Sequence, residues 1–199
     1  MSETRSNKAL KKRIEQCTLC AGSLSHEPKP VFSFGANTKI LIIGQAPGNK
    51  VHQSGKAFDD KSGDTLRTWL GIDRDTFYNT VFFGIVPMGF CFPGKNPKGG
   101  DLPPRPVCAP KWHHQIFEQL KDLDLVLLVG QYAQKYYLGK TAKRNLTETV
   151  RCYDEYLPTY FPLVHPSPLN FRWHAKNHWF IDRVVPELQE QVRKILNGI

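Results

Sequence analysis

Four of the five cysteines fall as Cys17-x2-Cys20 and, seventy residues on, Cys91-x16-Cys108, while Cys152 stands apart. Four thiolates suit a tetrahedral zinc site or an iron–sulfur cluster, and a tight CxxC pair in a cytosolic chain favours metal or redox chemistry over a structural disulfide. Spacing alone does not separate the two metals. Two further segments carry residues able to do chemistry. Gly44-Gln45-Ala46-Pro47-Gly48 follows the apolar run Ile40-Leu41-Ile42-Ile43, and His165-Pro166-Ser167-Pro168-Leu169-Asn170 follows Tyr160-Phe161-Pro162-Leu163-Val164. Small, polar and Pro-restricted residues at the end of a buried strand mark the crevice where open α/β sheets bind ligands.

The elements that must position these residues alternate. Strand-like runs occupy residues 39–43, 80–86, 124–129 and 160–164. Ser62 and Asp64 offer N-terminal acceptors to a helix over 65–70 that Gly71 stops, and Trp112, Ile116 and Leu120 recur at helical spacing after Pro110. Residues 131–138 and 186–196 read as helices too. Strands alternating with helices predict an α/β fold, a mostly parallel sheet covered on both faces with right-handed crossovers.

A chain of 199 residues, 40% apolar, with twelve Phe, seven Tyr and four Trp, has material for one well-cored domain over 1–199. Residues 1–16 form a basic lead. Residues 92–110, rich in Pro and Gly and carrying Lys95, Lys98 and Arg105, form a loop long enough to need a job or a staple, and two cysteines flank it. The net charge of +9 points to an acidic partner, nucleic acid being the commonest. No run approaches eighteen apolar residues and residues 1–13 have no apolar signal core, so the expectation is a cytoplasmic protein that does not enter a membrane.

From about Cys17 to Phe180 the chain resembles the uracil-DNA glycosylase superfamily, most closely its iron–sulfur branches, families 4 and 5. The resemblance rests on Gly44–Gly48, on Ser54-Gly55-Lys56-Ala57-Phe58-Asp59-Asp60-Lys61-Ser62-Gly63-Asp64, on Asn79-Thr80, on the cysteine spacing, and on the His165–Asn170 segment. It implies a three-layer α/β/α sandwich around a four-stranded sheet, and a [4Fe–4S] cluster on Cys17, Cys20, Cys91 and Cys108 in preference to zinc. It also implies a monomeric hydrolase that excises uracil, or a related deaminated base, flipped out of single- or double-stranded DNA.

Breaking the bond between uracil and deoxyribose puts positive charge on the sugar and negative charge on the base. His165 matches the family's donor to uracil O2. Ala46 stands where family 1 carries a catalytic Asp, and Gln45 where family 4 usually has Glu, so the carboxylate is assigned to Asp60, with Asp59 in reserve and Asp64 as the later helix-start acid. Phe58 is expected to stack on the base, the Asn79 amide and the backbone N–H groups of Gln45 and Ala46 to read its polar edge. Gly48, Asn49, Lys50, Ser54, Lys56, Ser167 and Arg172 are expected at phosphates, and Leu169 as the wedge left in the duplex. Gly48 replaces the family 1 Tyr that blocks the thymine methyl. The aromatic and basic run over 171–179 departs from the family and reads equally as DNA surface or as the start of a core helix. The competing expectation is a nucleic-acid-binding iron–sulfur or zinc protein that kept the scaffold and lost hydrolysis; an electron-transfer protein would leave Asn79 and His165 unexplained.

Overall fold

β1 (Ile40–Ile43) and β3 (Leu125–Val129) are buried at every position, as parallel strands covered on both faces must be. β2 (Phe83–Ile85) and β4 (Tyr160–Leu163) flank them, giving the order β2-β1-β3-β4. All three pairings are parallel, with Ile40 opposite both Phe83 and Leu125, and Val126 opposite Tyr160. Pro162, which lacks an N–H, is tolerated because β4 is an edge strand. These features come from a computed structural model that describes residues 5–198.

Alternation along β1 divides the core. Ile40 and Ile42 pack with α3 (Lys61–Leu70), α4 (Arg74–Tyr78), α7 (Leu146–Arg151) and α9 (Val185–Asn197) through Leu66, Leu70, Phe77, Val150, Leu188 and Val192. Leu41 and Ile43 face α1 (Arg5–Glu15), α5 (Cys108–Phe117) and α6 (Gln131–Leu138) through Leu10, Ile14, Trp112, Ile116, Ala133 and Leu138. The result is the expected three-layer α/β/α arrangement. Two short helices, α2 (Asn49–Ser54) and α8 (Phe171–Lys176), stand at the end of the sheet where the strands exit.

Four elements differ from the sequence reading. The basic lead is an amphipathic helix that buries Asn7, Leu10 and Ile14 at i, i+3 and i+7. The cap of α3 is Asp60, whose side chain accepts from the Gly63 N–H at 3.0 Å, while Ser62 and Asp64 lie inside the first turn. β2 begins three residues later than its apolar run, because Asn79 Oδ1 accepts from the Val81 N–H at 3.0 Å and holds residues 79–82 as a turn. Helix α5 starts before Pro110, which its first turn accommodates without losing a hydrogen bond.

His113 ties α5 to α6 and to the chain just beyond β2. Its Nε2–H donates to the Pro87 carbonyl at 3.1 Å, which leaves Nδ1 to accept from the Tyr137 hydroxyl at 2.5 Å. Burial pushes it from 6.5 down to about 4, so the folded imidazole stays neutral while the unfolded chain takes up a proton below about pH 6.5. The sign follows: stability is whole above that pH and declines as pH falls toward 4, by up to about 1.4 kcal/mol per pH unit. Urea midpoints measured from pH 7 down to 4.5 should show this decline, and His113→Gln, although less stable at pH 7, should show a shallower one.

Candidate active site

A cavity of about 320 Å³ opens at the carboxyl ends of β1, β2 and β4. The turn after β1 contributes Gln45, Ala46, Pro47 and Gly48; Ile85 and Pro87 close the β2 side; His165, Ser167 and Leu169 come from the segment after β4. Phe58, Asp60 and Ser62 line it from the approach to α3, and Lys95 and Asp101 from the long loop.

Phe58 is the strained member. It is the one non-glycine residue at positive φ among those described, at 55°, a conformation bulky side chains avoid. Neighbouring groups hold it there. The Tyr78 hydroxyl donates to the Ala57 carbonyl at 2.9 Å, the Arg67 guanidinium donates to the Phe58 carbonyl at 3.4 Å, and Gly63 lies so close that a Cβ on it would fall 1.8 Å from that carbonyl oxygen. The ring then reaches Gly44 and meets Phe77 edge-on at 6.2 Å between centroids. The wall of the cavity is thus fixed by the first turn of α3.

The same turn separates the two neighbouring carboxylates. Asp60 caps α3 and lines the cavity. Asp59 points to Arg74 at 2.5 Å and is absent from the lining, and Arg74 holds it below the usual carboxylate range. Asp64 is taken up by Arg67 at 2.6 Å. His165 is partly buried, and its carbonyl accepts from the Asn170 amide at 2.6 Å, which closes the segment on itself. Burial lowers the imidazole below 6.5 while Asp60 and Asp101 pull it back. The ring is therefore neutral at pH 7 and has one N–H to donate.

Asn79 does not join them. It precedes β2, whereas the cavity lies beyond the strand's other end, and its side chain is spent on the turn to Val81. In a parallel sheet the entry and exit of one strand face opposite edges of the molecule, so the amide cannot read a base held by His165. Among the predicted phosphate contacts, Gly48 and Ser167 line the cavity, and Lys50 is exposed on α2. Ser54 Oγ accepts from the Lys56 N–H at 3.3 Å, the Lys56 ammonium stands 3.8 Å over the Tyr78 ring, and Arg172 lies over the Phe171 ring. Leu169 is 80% exposed at the rim. The 171–179 run is divided: Phe171 and Arg172 face solvent, whereas Trp173 packs against the core and donates to Thr147 Oγ1 at 2.9 Å.

Lys95 and Asp101 line the cavity too, and the sequence reading did not assign either to the site. They pair across a hairpin in which Leu102 N–H donates to the Gly94 carbonyl and Asn96 N–H to the Gly100 carbonyl, at 2.9 and 3.0 Å. Gly99 and Gly100 take φ of 101° and 76° at its tip, values only glycine adopts freely. An Asn-x-x-Gly-Gly stretch between two facing polar residues was the available signal.

The four predicted ligands line a second, small and closed cavity together with Ile14, Pro28, Pro30, Phe90 and Trp112. None is in a disulfide. Burial, reinforced by the neighbouring thiols, pushes Cys91 up to about 12 and Cys108 to about 11. Among the described residues no group of three or more His, Cys, Asp or Glu side chains forms a grip for one metal ion. Cys152 lies apart, at the end of α7.

A family model for the uracil DNA glycosylase superfamily matches residues 32–189, and the chain belongs to that superfamily. The matched span includes Cys91 and Cys108 and begins after Cys17 and Cys20. Among solved structures, the chain is similar to a Methanosarcina acetivorans protein that carries the name of a uracil DNA glycosylase, determined by solution NMR. Identity is 16% over 81% of this chain and 93% of that one, with a TM-score of 0.47. Among the described residues no helix is long and apolar enough to cross a membrane.

The contact beneath Phe58 has a measurable consequence. Gly63→Ala must push the Phe58 carbonyl aside and should cost roughly 1–3 kcal/mol, as overpacking in a fixed site does. Urea denaturation checks the loss, and a crystal structure of the variant should show the Phe58 ring displaced from Gly44.

Proposed function

We propose that the chain hydrolyses the N-glycosidic bond of uracil, or of a closely related deaminated base, in DNA. One observation carries the reading: an aromatic wall, a neutral imidazole and a capped carboxylate line the same cavity at the carboxyl ends of the strands. Phe58 stacks on the extruded base, His165 donates to the oxygen on which the leaving base gathers charge, and Asp60 stands against the cationic sugar. With Asn79 remote, the base edge falls to the main chain of Gln45 and Ala46, whose N–H donors suit a uracil carbonyl and meet a donor, not an acceptor, in the cytosine amino group. Leu169 fills the gap in the stack, and Gly48, Lys50, Ser167 and Arg172 carry the backbone.

Oligonucleotides containing uracil, single- and double-stranded, followed by alkaline cleavage of abasic sites, test the activity. Wild-type chain should produce the cleaved strand; His165→Ala should lower the single-turnover rate by about 10²–10³-fold, the usual worth of one such donor. Asp60→Asn should lower it by roughly 10²-fold, as expected for a positioned carboxylate. Tight DNA binding with no abasic product would instead make the chain a nucleic-acid-binding member of its superfamily.

For the cysteines the proposed occupant is a [4Fe–4S] cluster, held by Cys17, Cys20, Cys91 and Cys108, as in families 4 and 5. Three buried cysteines and the half-buried Cys17, none in a disulfide, around one small apolar cavity fit such a group. When bound it supplies a cross-link between α1, the start of α5 and the loop after β2. Protein purified without oxygen should be brown and contain iron but little zinc. Cys91→Ala should lose the iron and melt several degrees lower, consistent with loss of a folding-linked metal site.

A further inference from the structure

Two carboxylates, not one, reach the cavity. Asp60 arrives on the first turn of α3, and Asp101 on the hairpin between Cys91 and Cys108. Lys95 grips Asp101 Oδ1 at 2.6 Å, and Oδ2 lies against the turn after β1, 3.5 Å from where a Cβ on Gly48 would be. The Asp101 side chain is 29% exposed, so it is reachable from the cavity yet held on one side by its cation. Both carboxylates line the same cavity as His165, and each raises the affinity of its imidazole for a proton.

The reaction has work for two such groups. The C1′–N1 bond breaks with its electron pair leaving on the base; a water oxygen bonds C1′, one of its protons passes to a carboxylate and on to solvent, and the base anion takes a proton. Standing charged beside the sugar cation and receiving the proton of the attacking water are separate tasks for a carboxylate. Two can divide the tasks, provided a cation offsets their mutual repulsion before substrate enters, and the Lys95 ammonium is placed to do so.

We propose that Asp101 is a second catalytic carboxylate of this site, held in position by Lys95. The inference rests on the proposed excision of a base and adds a residue to it. Single-turnover excision from a uracil-containing single strand, with DNA affinity and melting temperature measured alongside, tests it. Asp101→Asn should slow excision by roughly 10²-fold, with affinity and melting temperature unchanged. Asp101→Ser supplies the same comparison if the first variant fails to fold. A rate within about threefold of wild type overturns the inference, as does a slowing matched by an equal loss of affinity or of melting temperature, which would make Asp101 a structural residue. Wild-type chain that excises nothing overturns the proposed function and this inference together, whereas wild-type excision that survives Asp101→Asn overturns the inference alone.

Discussion

The close approach of Gly63 to the Phe58 carbonyl governs the site. Because no Cβ intervenes, the first turn of α3 can lie directly beneath residues 57–58, and the Phe58 backbone is held in a left-handed conformation it would not choose. From that contact the rest follows. The Phe58 ring is set against Gly44, Asp60 is set at the helix cap with its carboxylate at the cavity, and Asp59 is turned away to Arg74. One backbone contact thus builds the wall and chooses the acid.

Asp60 has two roles that reinforce each other. As the cap of α3 it accepts from the Gly63 N–H, which fixes its side chain at the start of the helix. A carboxylate held immobile is suited to stand beside a developing cation, since it need not reorganise when the charge appears. His165 is kept neutral by burial against two nearby carboxylates that would charge it. For the proposed reaction, whose substrate splits into a cation and an anion, the cavity therefore offers a fixed carboxylate and a neutral donor.

The cysteine cavity and the catalytic cavity are joined by one stretch of chain. Cys91 and Cys108 bracket the hairpin that carries Lys95 and Asp101, and α1 packs on α5 beside them through Leu10, Ile14 and Trp112. A loop of this length and composition has little core of its own, and anchoring both of its ends reduces the entropy lost when its tip is ordered over the site.

Much of the fold was legible in the residues. Strands buried on both faces must be continuous apolar runs, so β1, β3 and β4 could be placed nearly to the residue, and Gly71 ends α3 as a left-handed glycine should. The four cysteines and the two strand-end segments announced themselves by composition and spacing. Tertiary structure decided the rest, because it turns on direction and on approach between distant segments. Asn79 sits one turn before β2 instead of one turn after it, which puts it on the wrong edge of a parallel sheet. Asp59 and Asp60 are adjacent letters, yet the helix that begins between them sends one to Arg74 and one to the cavity. Asp101 enters the site only because a hairpin pinned at both ends folds back over it, a non-local closure that no local pattern encodes.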